Sequence, residues 1–219
     1  VFGAAYGWER PNWFSADGAK DVSLTFRRPG WLDAVRRECL HVRDHVGSVD
    51  LSSFSKFEVS GPEADAFMAT LGSNRPPQRD GRIGLNHALT NNGGVASEFT
   101  VTRLAANNYY LTSAAFAERH DEDLLRNRAP AGVTITNVTE RRGILGVMGP
   151  KSRKLLQSLS KADLSNAAFP WLSAQRIEIA GIPVLALRLS YVGELGWELH
   201  ADLGRIGDLY RAICKAGAA

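Results

Sequence analysis

The sequence is short of the residues that staple small folds. Two cysteines in 219 residues, Cys39 and Cys214, are too few for a disulfide framework or a structural zinc site. Each falls in a helical pattern, so a buried reduced thiol in a reducing compartment is expected. No run approaches the roughly 18 uninterrupted apolar residues of a membrane-spanning helix, and no membrane partner is expected. The opening stretch "VFGAAYGWERP" lacks an initiator methionine and the basic and apolar regions of a signal peptide. The far end, "KAGAA", stops directly behind a helical pattern, so the chain is expected to be a piece of a longer polypeptide. Excess charge is scarce too: 26 Lys and Arg against 23 Asp and Glu leave a net charge of +3. The pairs Arg27-Arg28, Arg36-Arg37 and Arg141-Arg142 stand apart without interleaved aromatics, and no nucleic-acid partner is expected.

Several chemical motifs are missing as well. Neither G-x-G-x-x-G nor G-x-S-x-G occurs, which leaves a Rossmann dinucleotide site and a serine hydrolase without support. "GILGVMGPKS" has the outline of a phosphate loop, but Pro150 stands where that loop needs a backbone N–H. His41 and His45 are four residues apart without the glutamate of H-E-x-x-H, so no metal site is expected. The sequon at Asn137 matters only in a secreted chain.

What is present suits a globular α+β chain, with 44% hydrophobic and 22% charged residues. Residues 1–17 are rich in aromatics around Pro11 with no clear period, and they are expected to bury their rings on another domain. Helical spacing of Trp31, Val35, Cys39, Val42 and Val46 predicts a helix over 29–46. "GSVDLSSFSKFEV" alternates as one strand, and "VSGPEADAFMATL" (59–71) turns it into a helix, with Ser60 and Glu63 as a capping box. "VMGPKSRKLLQSL" (147–159) repeats that strand, Gly-Pro, helix device, which predicts two similar lobes. "TNNGG" marks a hairpin between "RIGLNHAL" and "VASEFTVTRL". "YYLTSA" is a further strand, and Ser113 is expected to cap the helix that ends near Leu125. "GVTITNVT", "RGILGV", "AQRIEIA" and "PVLALRLSY" are short strands. A last helix over 203–216 aligns Ile206, Leu209, Tyr210, Ile213 and Cys214. There is no βαβαβ rhythm, so a doubly wound parallel sheet is not expected.

Two carboxylates draw interest. Glu98 lies just past the hairpin turn among apolar residues and threonines, and Glu194 lies in the Gly-flanked turn of "SYVGELGWELH". Each could simply face solvent. Alternatively, a carboxylate with two acceptor oxygens matches a ligand edge with two adjacent N–H donors, and flanking glycines allow a planar ring close to the backbone. A pterin has such an edge, and so does an arginine of a partner domain.

"GWERPNWF", "DLSSFSKFEVSGPEA", "NNGGVASEFTVTRL", "GVMGPKSRKLL" and "LRLSYVGELGWELH", in that order, resemble the folate-binding aminomethyltransferase (glycine-cleavage T-protein) domain. They are most similar to the version fused behind the flavin domain of dimethylglycine and sarcosine dehydrogenases. The resemblance implies two antiparallel sheet-plus-helix lobes around a central folate cavity, with a C-terminal barrel missing from this chain. It implies a linker over 1–21 from an upstream flavin domain, and a folate-binding domain over 22–219. The lobes are expected at 22–60 with 142–219, and at 61–141.

By matched position, Glu194 is expected to hold the pterin edge beside Tyr191, with Thr112 and Arg188 as further cofactor-binding residues. Glu98, where the T-protein has an aspartate, is the expected catalytic residue. Leu85 stands where relatives often carry a tyrosine. The implied function is capture on tetrahydrofolate of the one-carbon unit released by FAD-dependent oxidation of an N-methyl amine, with this chain packed against its own flavin domain. The compartment implied is cytoplasmic in a bacterium and the mitochondrial matrix in a eukaryote. A stand-alone aminomethyltransferase of glycine cleavage and a non-catalytic folate-binding or docking domain are the alternatives. The second of these draws on Ser97 and Glu98 replacing the T-protein's acidic pair.

Overall fold

The computed structural model describes residues 1–5, 7–16, 18 and 25–217. The expected start of the folate domain at residue 22 lies outside the described residues, as do Tyr6 and the side chain of Trp8. The aromatic opening, expected to be irregular, instead forms a hairpin of β1 (Phe2–Ala5) and β2 (Trp8–Pro11). Gly7, at φ +85°, supplies the turn conformation that other residues rarely adopt. Trp13 is buried beyond it, while Phe2 and Phe14 stay exposed.

The rest runs α1 (Leu32–Asp44), β3 (Gly47–Asp50), β4 (Ser55–Ser60), α2 (Ala64–Leu71), β5 (Ile83–Leu89), β6 (Val95–Ala105), β7 (Asn108–Ser113) and α3 (Glu118–Arg128). It continues with β8 (Thr134–Asn137), β9 (Arg142–Met148), α4 (Ser152–Leu159), β10 (Ala174–Ile179), β11 (Ile182–Leu187), β12 (Gly196–Asp202) and α5 (Ile206–Gly217). Two five-stranded sheets result, with orders β5-β6-β7-β4-β8 and β10-β11-β12-β9-β3. Every pairing is antiparallel.

The repeated Gly-Pro device sits at the same place in both sheets. β4 leads into α2 through Gly61, at φ +124°, and β9 leads into α4 through Gly149, at φ +125°. A Cβ at Gly61 would lie 2.2 Å from the Gly132 carbonyl oxygen, and one at Gly149 would lie 2.4 Å from that of His45. Both glycines are thus fixed by conformation and by close backbone approach. The two orders match strand for strand, except that the edge place filled by β8 in one sheet is filled in the other by β3.

That exchange corrects two expectations. The alternating run 47–59 is not one strand, because the Asp50 carboxylate accepts the Ser52 N–H at 2.9 Å and turns the chain. β4 then pairs with β7 and β8, so residues 55–60 belong with the 61–141 lobe rather than the other. The capping box does not form either. Ser60 is occupied as the last pairing residue of β4, and Glu63 accepts the Gly132 N–H at 3.0 Å instead. Ser113 ends β7 and does not cap α3, which starts five residues later after a 3-10 turn.

Strand alternation sorts the side chains into layers. In the first sheet Phe57, Val59, Phe99, Val101, Tyr109 and Leu111 pack outward against Phe67, Met68 and Leu71 of α2 and Leu125 of α3. In the second, Leu145, Val147, Trp197, Leu199 and Ala201 pack against Leu156 of α4 and Leu209 and Ile213 of α5. The opposite faces meet through Ile83, Tyr110 and Val138 on one side and Leu185, Leu187 and Leu189 on the other. Burying each such large apolar side chain contributes roughly 1.5–3 kcal/mol before the entropy of ordering is subtracted. The two cysteines fall off these faces: Cys39 and Cys214 are exposed, contrary to expectation. Leu209 and Ile213 carry the buried stripe of α5, and Cys214 stands one position past it.

Candidate functional site

Residues of both sheets line a partly open cavity of about 670 Å³. Its size falls in the ordinary range of small-molecule sites. β6 and β7 supply Glu98, Thr100 and Thr112, and β9 and β12 supply Ile144 and Glu198. The crossover between the sheets adds Leu51 and Phe54, and the 190–195 loop adds Tyr191.

Alternation explains the acid on β12. Trp197, Leu199 and Ala201 point into the helix-side core, so Glu198 and His200 must point between the sheets. Glu198 retains only 10% side-chain exposure, yet it lines the cavity. Its Oε2 lies 3.2 Å from His200 Nε2, and His200 Nδ1 lies 3.0 Å from the Tyr110 hydroxyl. Burial pushes the His200 pKa below its ordinary value and the Tyr110 pKa far up, so both are neutral near pH 7.

The crossover that floors the cavity is tied from several sides. Ser52 Oγ accepts the Ile144 N–H at 3.0 Å, and the Ser52 carbonyl accepts from Lys56 Nζ at 2.7 Å. Lys56 is fully buried, and that burial drives its pKa down to about 8 against the pull of Glu118 and Asp50. Asp121, a buried residue of α3, also lines the cavity, and burial pushes its carboxyl pKa up. The hydroxyls of Ser113 and Ser97 lie near enough to favour its charged form, but neither Asp121 oxygen completes a hydrogen bond among the described residues.

Three of the five residues singled out from the sequence meet here. Glu98 lines the cavity with 56% side-chain exposure, and its Oε2 lies 2.7 Å from His87 Nε2. Tyr191 is 67% exposed at the rim, but its hydroxyl reaches inward to within 2.8 Å of Thr100 Oγ1. Desolvation of that hydroxyl, with the negative charges of Glu198 and Glu98 beyond it, raises its pKa. Thr112 lines the wall between β4 and β6.

The other two lie elsewhere. Glu194 is half-buried in the 190–195 loop, where its charge acts on Arg43, and it does not line the cavity. Arg188 is buried, donating to the Phe169 carbonyl and to Asn166 Oδ1, with its guanidinium 5.5 Å from the Trp197 ring centre. It ties a loop to the helix-side core and does not line the cavity. Glu198 and His200, paired on one face of β12, were not singled out from the sequence as site residues. Their signal was present in "GWELHA", where the apolar positions 197, 199 and 201 leave an acid and a histidine sharing the opposite face.

The model of the GCVT N-terminal domain matches residues 1–219. The chain belongs to that family. Mitochondrial dimethylglycine dehydrogenase of Mus musculus is 38% identical over 216 residues, covering 96% of this chain and 25% of that protein. Human mitochondrial sarcosine dehydrogenase is 32% identical over 263 residues, covering 100% of this chain and 28% of that protein. This GCVT domain thus spans about a quarter of the length of these curated relatives. Its fold is that of the glycine cleavage system aminomethyltransferase T of Bartonella henselae, with a TM-score of 0.77 at 23% identity over 97% of this chain and 53% of that one.

Proposed function

We propose that the inter-sheet cavity of this aminomethyltransferase-type domain binds tetrahydrofolate as the acceptor of a one-carbon unit. The observation that carries the reading is the placement of Glu198: a carboxylate on a buried strand, facing an apolar-walled space, with His200 the one protein donor to it among the described residues. Burying a carboxylate with a single donor is costly, so the arrangement suits a ligand that brings further donors. The ring N–H and exocyclic amine of a pterin form such a two-donor edge. The role assigned from sequence to Glu194 therefore passes to Glu198, three residues after the loop that holds Tyr191.

The remaining groups fit one-carbon transfer. When bound, the reduced folate supplies the nitrogens that carry the unit away as 5,10-methylenetetrahydrofolate. Glu98, paired with His87, orients the reacting nitrogen and takes up the proton released there. A positioned base of this kind contributes ~10²–10⁴-fold. Tyr191 and Thr100 hold the rim, and Leu51, Phe54 and Ile144 give the walls that keep water from a reactive iminium. Likeness to the dimethylglycine and sarcosine dehydrogenases supports an N-methyl amine as the source, oxidised by a flavin domain elsewhere in a longer protein. The test is product partition in that full-length protein. With Glu98→Gln, the share of one-carbon units escaping as free formaldehyde in the presence of tetrahydrofolate should rise about tenfold or more. An unchanged partition removes Glu98 from the chemistry.

A further inference from the structure

The cavity carboxylate is not held alone. Behind Glu198 stands His200, with none of its surface exposed, and behind His200 stands Tyr110, equally buried. The Tyr110 ring meets the imidazole edge to face, with centroids 5.3 Å apart and an interplanar angle of 84°. Both ring nitrogens of His200 are engaged: Nδ1 at 3.0 Å from the Tyr110 hydroxyl, and Nε2 at 3.2 Å from Glu198 Oε2.

We infer that His200 is a positioning residue for folate binding, locked by Tyr110 in the Nε2–H tautomer so that it donates to Glu198 and fixes the plane of that carboxylate. The inference rests on the folate reading of the cavity and adds a residue to it.

Donor and acceptor counting sets the direction. A carboxylate oxygen can only accept, so the nitrogen facing it must carry the proton. In a neutral imidazole the other nitrogen is then an acceptor, and the tyrosine hydroxyl supplies the proton it needs. The Nδ1–H tautomer would set the Nε2 lone pair against the carboxylate. A charged imidazolium would sit in a fully desolvated place with Lys56 of β4 and Arg142 of β9 as cationic neighbours, and Arg142 is itself paired with Glu58 at 2.9 Å. Glu198 is the group favouring that charge, and burial outweighs it. The chain Tyr110 O–H to His200 to Glu198 therefore runs one way. It engages one carboxylate oxygen and leaves the side chain a single orientation for a two-donor ligand, which lowers the ordering cost of binding.

The experiment uses the full 219-residue chain with ¹⁵N-labelled histidine. Two-bond ¹H–¹⁵N correlation should show His200 neutral with the proton on Nε2 from pH 5.5 to 8, a range chosen around the ordinary histidine value of about 6.5. In Tyr110→Phe the tautomer preference should loosen. Calorimetric titration with tetrahydrofolate under argon then compares His200→Leu, which keeps bulk without a donor, with His200→Gln, which restores an N–H at a similar reach. Leucine should weaken binding about tenfold or more and glutamine should recover most of it. An Nδ1–H tautomer, a charged ring in that pH range, or leucine binding as tightly as wild type overturns the inference. If wild type shows no folate affinity, the folate reading fails by itself, and the spectrum alone still decides whether His200 holds Glu198 as described.

Discussion

Lys56 offers a way to read the interior of the site through stability. Its ammonium is fully buried and donates to the Ser52 carbonyl at 2.7 Å, holding the crossover that floors the cavity. Desolvation lowers its folded-state pKa from 10.5 to about 8. Between those values the unfolded chain keeps a proton that the folded chain has released, so stability rises with pH across that window. A depression of this size corresponds to roughly 3 kcal/mol set against folding at neutral pH. Linkage between pH 7.5 and 9.5 recovers roughly 2 kcal/mol of it. In Lys56→Met the Ser52 carbonyl loses its donor equally at every pH, so the pH dependence isolates the ammonium. Urea unfolding of both proteins at pH 7.5, 8.5 and 9.5 measures the difference. Wild type should gain roughly 2 kcal/mol relative to the variant over that span. Parallel stability curves would refute the reasoning, since they would mean the lysine titrates alike in both states.

Other substitutions test the frame around the site. Gly149→Ala forces a Cβ within 2.4 Å of the His45 carbonyl oxygen at φ +125°, and should cost about 3 kcal/mol or more by urea unfolding. Gly181→Ala, at φ +74° with nothing within 4 Å, should cost only about 1 kcal/mol. Arg188→Lys loses the fork that serves Phe169 and Asn166 together. It should lower stability by about 1–2 kcal/mol while leaving tetrahydrofolate affinity within twofold of wild type, as calorimetry would show.

Much of the fold was legible because local signals agreed with tertiary ones. The two Gly-Pro turns announced two equivalent strand-to-helix corners, and the NNGG hairpin forms where its pattern places it. The exchange of edge strands was hidden for a physical reason. Alternation continues across residues 47–59 as if through one strand, and only the Asp50 turn and the pairing of β4 reveal that the chain changes sheets there. The capping box failed because strand pairing outcompeted a side-chain cap at Ser60. In the site, Glu98, Tyr191 and Thr112, singled out by their matched positions in the family resemblance, line the cavity. Glu194 drew interest through its flanking glycines and was assigned by matched position, whereas the period of two along β12 puts Glu198 in the cavity. Flanking glycines shape a loop's path without saying which way its side chains face.

Tetrahydrofolate titration of wild type, Glu198→Gln and Glu194→Gln by calorimetry tests the site most directly. Glu198→Gln turns one acceptor into a donor facing the ligand's donors, and affinity should fall about 30-fold or more, roughly 2 kcal/mol. Glu194→Gln should bind within twofold of wild type. Full affinity in Glu198→Gln, or a loss confined to Glu194→Gln, would contradict the placement of the ligand between the two sheets.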